Sequence, residues 1–184
     1  GKRNKLNVTT QIQQRWNFCA PATVSMMLAS RGKIVDQFTL AREMGTYEPF
    51  GTHNRDAIRI LNKHMFGYEF PQTNQAGYRI ETVREINSAS IELFKQRLIK
   101  NTQDGYPMYY TFNPGKIYPG IANAEHNVAG AGYIATPDNK DVALVYYVDP
   151  YYKFQDPIYG GLKVVTPEEL LNAMVGVSEP DYAW

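Results

Sequence analysis

Cys19 is the only cysteine in this chain of 184 residues, and it opens the segment CAPATVSMML, which has the pattern of an amphipathic helix. Pro21 suits a first helical turn, because its fixed φ is already helical and its missing N–H has no partner to lose there. Val24, Met27 and Leu28 then recur at helical spacing. A thiol at this place meets the unpaired N–H groups and partial positive charge of a helix N-terminus. Both favour the thiolate, which is the nucleophilic form. A lone cysteine is more often a small buried hydrophobe, so a nucleophile's role requires a base elsewhere in the chain.

His126 is the candidate base. It opens HNVAGAGYIA, whose small and β-branched residues have the character of a buried strand. His53 stands in a polar turn before a helix and His64 near the end of that helix, where a cation is favourable and a solvated role suffices. The next strand, VALVYYV, runs into Asp149 and Pro150. A carboxylate there can hold one imidazole N–H while the other ring nitrogen takes the thiol proton, and adjacent antiparallel strands can bring the two side chains together. Asp-Pro also serves simply to end a strand in a turn. A tetrahedral oxyanion needs two donors: the nucleophile's own backbone N–H is one, and a side-chain amide from Gln11, Gln13 or Gln14 can be the other.

The order Gln13, Cys19, His126, Asp149, carried on the strings CAPA, HNVAGAGY and VDP, resembles the bacteriocin-processing, double-glycine peptidase group of papain-like cysteine peptidases, its stand-alone relatives especially. GKIVDQFTLAREMGT and THNRDAIRILNKH are similar to that group's region between nucleophile helix and sheet, so the likeness covers most of the chain. The resemblance implies a hydrolase that cuts a peptide or isopeptide bond in a peptide or protein substrate. It implies Cys19 as nucleophile, His126 as general base and acid, Asp149 as the group that orients His126, and Gln13 as oxyanion donor by its six-residue offset from the thiol. Two departures are visible. Ala20 follows the cysteine where the group commonly has Gly, which narrows the space beside the thiol, and the turn TPDNKD lengthens the His-to-Asp interval as a hairpin loop on the far side of the sheet.

Other chemistries use the same residues. A Cys19 thioester can pass to an amine, as in a transglutaminase-like or transpeptidase enzyme. A module that binds a leader peptide without cutting it belongs to a different class, and it has no need of the cysteine. No His-Glu-x-x-His string or zinc-ligand spacing is present, so neither metal nor cofactor is expected.

The elements that must position these residues change period half-way along the chain. Helices are predicted at Cys19 to Ser30, Phe38 to Met44 and Asn54 to Phe66, the last two closed by Gly45 and Gly67, and a fourth near Ile91 to Lys100. Strands are predicted at Pro107 to Phe112, Asn127 to Ala135, Val142 to Val148 and Leu162 to Val165. Thr166, Pro167 and Glu169 have the spacing of a capped start to a last helix. Helices first and an antiparallel sheet afterwards make an α+β pattern, papain-like by the resemblance, with the nucleophile helix packed on the sheet. The small residues Val128 to Gly132 would admit that close approach. The loop NPGKIYPGIANAE is too long for a tight hairpin and has the length of a lid or binding loop. Tyr109, Tyr110 and Tyr118, near it in sequence, are expected to line a substrate groove.

Length and 43% hydrophobic residues fit one domain with a sizeable core, residues 1–184. A net charge of +1 offers no electrostatic case for nucleic acid, and no polybasic run suggests a membrane surface. No stretch approaches the roughly 20 apolar residues that span a bilayer. One cysteine excludes an intrachain disulfide without fixing the compartment. The 14 tyrosines point to a surface rich in hydrogen-bonding aromatics, and with the resemblance to an extracellular or cell-surface setting in a bacterium, the cytoplasm being the alternative. GKRNKLNV has no apolar signal core, and removal of a signal or anchor ahead of it stays open, as does the oligomeric state.

Overall fold

A computed structural model describes residues 1–184. Helix α1 (Cys19–Ser30) is buried at every residue from Ala20 to Leu28, so the expected amphipathic helix is instead enclosed on all sides. Its polar residues are few and small, which permits this. Helices α2 (Gln37–Met44) and α3 (Asn54–Phe66) cover its outer side. Asp36 caps α2 by accepting from the Thr39 N–H at 2.8 Å, and Gly45 and Gly67 end the two helices in the left-handed conformation, as the sequence predicts. Helix α4 spans Ser88–Asp104, longer than predicted at both ends, because its first and last turns are polar and carry no periodic signal. Helix α5 (Pro167–Met174) starts in the predicted capping box of Thr166 and Glu169.

The predicted strands are present as β3 (Met108–Phe112), β4 (His126–Ala135), β5 (Val142–Val148) and β6 (Leu162–Val165). Three three-residue strands join them: β1 (Arg3–Lys5), β2 (Ile80–Thr82) and β7 (Asp181–Ala183). All pairings are antiparallel in the order β2-β7-β3-β4-β5-β6, and β1 continues the row of β3 along the same edge of β4. Side-chain alternation gives the sheet two cores. Tyr109, Ala129, Ala131, Tyr146 and Val148 pack against α1 to α3, whereas Met108, Tyr110, Phe112, Val128 and Tyr147 pack with α4 and α5. The central strand is thus enclosed on both faces, and its N-terminal end delivers His126 and Asn127 to the start of α1.

The small residues of β4 divide their work differently from expectation. Ala129 and Ala131 lie fully buried on the α1 face. Gly130 serves the opposite face, where a Cβ would stand 2.7 Å from the Tyr110 ring. Gly132, at φ +105°, lets the Asn4 carbonyl of β1 pass where a side chain would sit.

Candidate active site

Cys19 is the first residue of α1, so its N–H has no carbonyl a turn earlier in the helix to bond, and it makes no other backbone hydrogen bond. The thiol is half-buried and lies against two consecutive residues of β4. It donates to Asn127 Oδ1 at 3.2 Å, and His126 lines the same cleft beside it. Asn127 occupies this place by strand parity: it shares the α1 face with Ala129 and Ala131.

His126 Nε2 meets Asp149 Oδ1 at 2.7 Å, which leaves Nδ1 as the nitrogen available to the thiol. Asp149 is entirely buried, one residue beyond the end of β5. Its carboxylate also accepts from the Tyr118 hydroxyl at 2.7 Å and from the Tyr151 N–H at 2.9 Å. Burial alone disfavours the imidazolium. The charge and hydrogen bond of Asp149, with a smaller contribution from Cys19, outweigh it and push the His126 pKa up to about 10.

Gln13 reaches the same cleft. Its backbone N–H donates to the Pro150 carbonyl at 2.8 Å, which ties it to the segment bearing Asp149. Its Nε2 faces the carbonyls of Arg15 and Trp16 at 3.1 and 3.0 Å, while Oε1 is buried without a partner. An oxyanion would have to share or displace those carbonyls to receive an N–H. The other two glutamines stand elsewhere: Gln11 bonds Ser25 and Gln37, and Gln14 is exposed away from the cleft.

Cys19, His126 and Gln13 line one cleft of about 770 Å³. One wall carries Trp16 and the turn Pro49–Thr52, which is closed by mutual backbone bonds of Tyr47 and Gly51 at 2.9 and 2.7 Å. The other carries Ile121, Ala122 and Glu125 of the long loop, with Tyr151 and Phe154. The loop is pinned by Asn113, whose Oδ1 accepts from the N–H groups of Gly115 and Ala124 at 2.9 and 3.1 Å. It therefore borders the cleft, as its length predicts. The tyrosines do not. Tyr109 and Tyr110 are fully buried on opposite faces of β3, because successive strand residues point to opposite sides, and neither can meet a substrate. Tyr118 bonds Asp149 and Tyr147 from outside the cleft, so it supports the carboxylate instead of lining the cleft that holds Cys19. His64 pairs with Glu43 at 2.7 Å and His53 with Glu179 at 2.7 Å, and neither lines the cleft.

Sequence reasoning missed a buried polar chain beneath the thiol. Asn127 Nδ2 donates to Thr111 Oγ1 at 2.8 Å, and Asn54 Nδ2 donates to the same oxygen at 2.9 Å and to Asp181 Oδ2 at 3.0 Å. The signal was an asparagine among small apolar residues on one face of a strand. Polar side chains are buried where a partner awaits them.

The profile of the Peptidase_C39-like family matches residues 5–167. The chain belongs to this family. No curated protein sequence matches it. Among solved structures it is similar to a Bacillus anthracis chain assigned to the C39-like peptidases, with 16% identity and a TM-score of 0.62 over 96% of this chain and 93% of that one. A double-glycine-motif protease of a PCAT transporter, solved with its leader peptide, is similar at 14% identity and a TM-score of 0.57, covering 99% of this chain and 93% of that one. The ragweed pollen cysteine protease Amb a 11, in its proform, is similar at 13% identity and a TM-score of 0.54, covering 98% of this chain and 62% of that one. At these identities the likeness is one of fold: α+β and papain-like.

Proposed function

We propose that this C39-like family member is a cysteine peptidase that hydrolyses a peptide or isopeptide bond through a thioester on Cys19. The observation that carries this is a half-buried thiol at a helix N-terminus sharing its cleft with His126, whose other ring nitrogen is held at 2.7 Å by a fully buried Asp149. Asp149 holds the imidazole by Nε2, so Nδ1 faces sulfur. The thiolate attacks the scissile carbonyl, forming the C–S bond while the carbonyl electron pair moves to oxygen. The Cys19 N–H, and a Gln13 N–H drawn from its loop carbonyls, receive that oxyanion. As the C–N bond breaks, the imidazolium gives its proton to the departing amine. His126 then takes a proton from water, hydroxide adds to the thioester, and the thiolate leaves.

The cleft is open, with Trp16 61% and Phe50 41% exposed, and suits an extended peptide laid between an aromatic wall and the long loop. The leader-peptide complex of the double-glycine-motif protease supports a peptide as ligand here. The test is identification of new protein N-termini in a bacterial proteome treated with wild type or with Cys19→Ala. Cleavages made by wild type alone support hydrolysis. Adducts that form only with an added amine assign acyl transfer, and identical proteomes remove the peptidase assignment.

A further inference from the structure

Asn127 touches the sulfur, yet nothing in the mechanism above uses it. Its Oδ1 accepts from Cys19 Sγ at 3.2 Å, an arrangement suited to a thiol and unsuited to a thiolate. Once the thiol proton is lost, a carbonyl dipole would face a negative sulfur across that distance. The neighbours of Asn127 accommodate the alternative. Thr111 Oγ1 accepts from both Asn127 Nδ2 and Asn54 Nδ2, so both its lone pairs are engaged and its own proton reaches no acceptor in the cluster. Asn54 is fixed in orientation: its Nδ2 donates to the acceptor-only carboxylate of Asp181, and its Oδ1 accepts from the Tyr109 hydroxyl at 2.8 Å.

We propose that Asn127 is a catalytic residue whose amide turns with the state of Cys19, accepting from the thiol and donating Nδ2–H to the thiolate. A half-turn of the amide exchanges its oxygen and nitrogen. Nδ2 then faces sulfur, and Oδ1 stands about where Nδ2 stood and accepts the unused Thr111 proton. Asn54 continues to donate to Thr111, so hydrogen bonds run in one direction from Asn54 through Thr111 and Asn127 to the sulfur. The contact given up is the long one from Asn127 Nδ2 to Asn54 Oδ1, at 3.4 Å, and Asn54 Oδ1 keeps Tyr109. The asparagine can serve both states because one side chain carries donor and acceptor on a single rotor.

The titratable groups around the thiol are placed as follows. His126 adjoins it from β4 with Asp149 behind, Asp181 and Glu179 bond Asn54 from the C-terminal segment with His53 paired to Glu179, Tyr109 bonds Asn54 from β3, and Glu125 and Lys153 line the cleft. Among these His126 brings a cation to the sulfur. The acidic groups gathered behind Asn54 make a donor between them and the thiolate the more valuable.

This inference rests on Cys19 being the nucleophile, and one series tests both separately: iodoacetamide alkylation of Cys19 followed across pH, read by intact mass. Asn127→Leu should move the half-maximal rate to higher pH and slow alkylation at pH 6 by about ten- to a hundredfold, the scale of a hydrogen bond to a charged group. Thr111→Val, which leaves Cys19 and Asn127 in place, should shift the profile the same way by less, and Thr111→Ser should recover most of that loss. If Asn127→Leu does not fold, the Thr111 pair decides. Alkylation at pH 6 as fast as wild type in Asn127→Leu, or in Thr111→Val, would overturn the turning amide while leaving Cys19 reactive. A wild-type thiol that is itself slow at pH 6, and indifferent to His126→Ala, would overturn the nucleophile assignment and this inference with it.

Discussion

Asp149 is the residue whose surroundings say most about the site, since a fully buried carboxylate is retained only where its lone pairs are met. Tyr118→Phe removes one of those donors, and it should lower stability by about 1–3 kcal/mol in denaturant unfolding, the cost of leaving a buried acceptor unpaired. Asp149→Asn removes the charge that holds the His126 pKa up to about 10 while burial continues to oppose the imidazolium. The alkaline limb of kcat/KM, where His126 loses the proton it gives the leaving amine, should therefore move toward neutral pH. An unmoved limb would mean that Asp149 does not set the protonation of His126. Gln13→Ala should cost about 10² to 10³ in kcat with the fold intact, whereas Gln11→Ala, which loses bonds to Ser25 and Gln37, should show its effect in the melting temperature. Equal kcat for Gln13→Ala and wild type would place the second oxyanion donor elsewhere. That Cys19, His126, Asp149 and Gln13 gather at one place was legible because each has a distinctive type at a distinctive position, and the roles proposed for them are what these variants test. The tyrosines were misread because proximity in sequence says nothing about which side of a strand a ring faces, and Asn127 was overlooked because an amide in a strand has no chemistry until its neighbours are known.

At the scale of elements, legibility followed local signals. Gly45, Gly67 and the Thr166 to Glu169 box end or start helices by their own conformational chemistry, so those boundaries agree with expectation. Strands β1, β2 and β7 have three residues each and exist only by pairing with distant partners, which a local pattern cannot reveal. The close approach of β4 to its neighbours is the feature that positions the site, and it is open to test. Gly132→Ala places a Cβ against the Asn4 carbonyl at a positive φ, and it should destabilise by at least about 1–2 kcal/mol, with β1 the first strand to lose protection in hydrogen exchange. Ala131→Leu adds volume beneath α1 and should cost about 1–3 kcal/mol by overpacking. Wild-type stability in Ala131→Leu would mean that α1 does not bear on β4 as described.

Taken whole, the molecule sets an enclosed helix and the end of a central strand against each other and leaves the cleft between two walls open. The buried His126–Asp149 pair should also appear in global stability. The His126 pKa is raised on folding, from roughly 6.5 in the unfolded chain to about 10. Its contribution is therefore fully present below about pH 6.5 and is lost as pH rises toward 10. Wild type should lose melting temperature across that window by more than His126→Ala does, and parallel curves would contradict the pair. No helix is long and apolar enough to cross a membrane. The central claim, that Cys19 is a nucleophile activated by His126, is tested most directly by the rate of iodoacetamide alkylation at pH 6, compared between wild type and His126→Ala by mass spectrometry. The account predicts fast modification of wild type and at least about a tenfold slower reaction in the variant. Equal, slow rates in two folded proteins would contradict it.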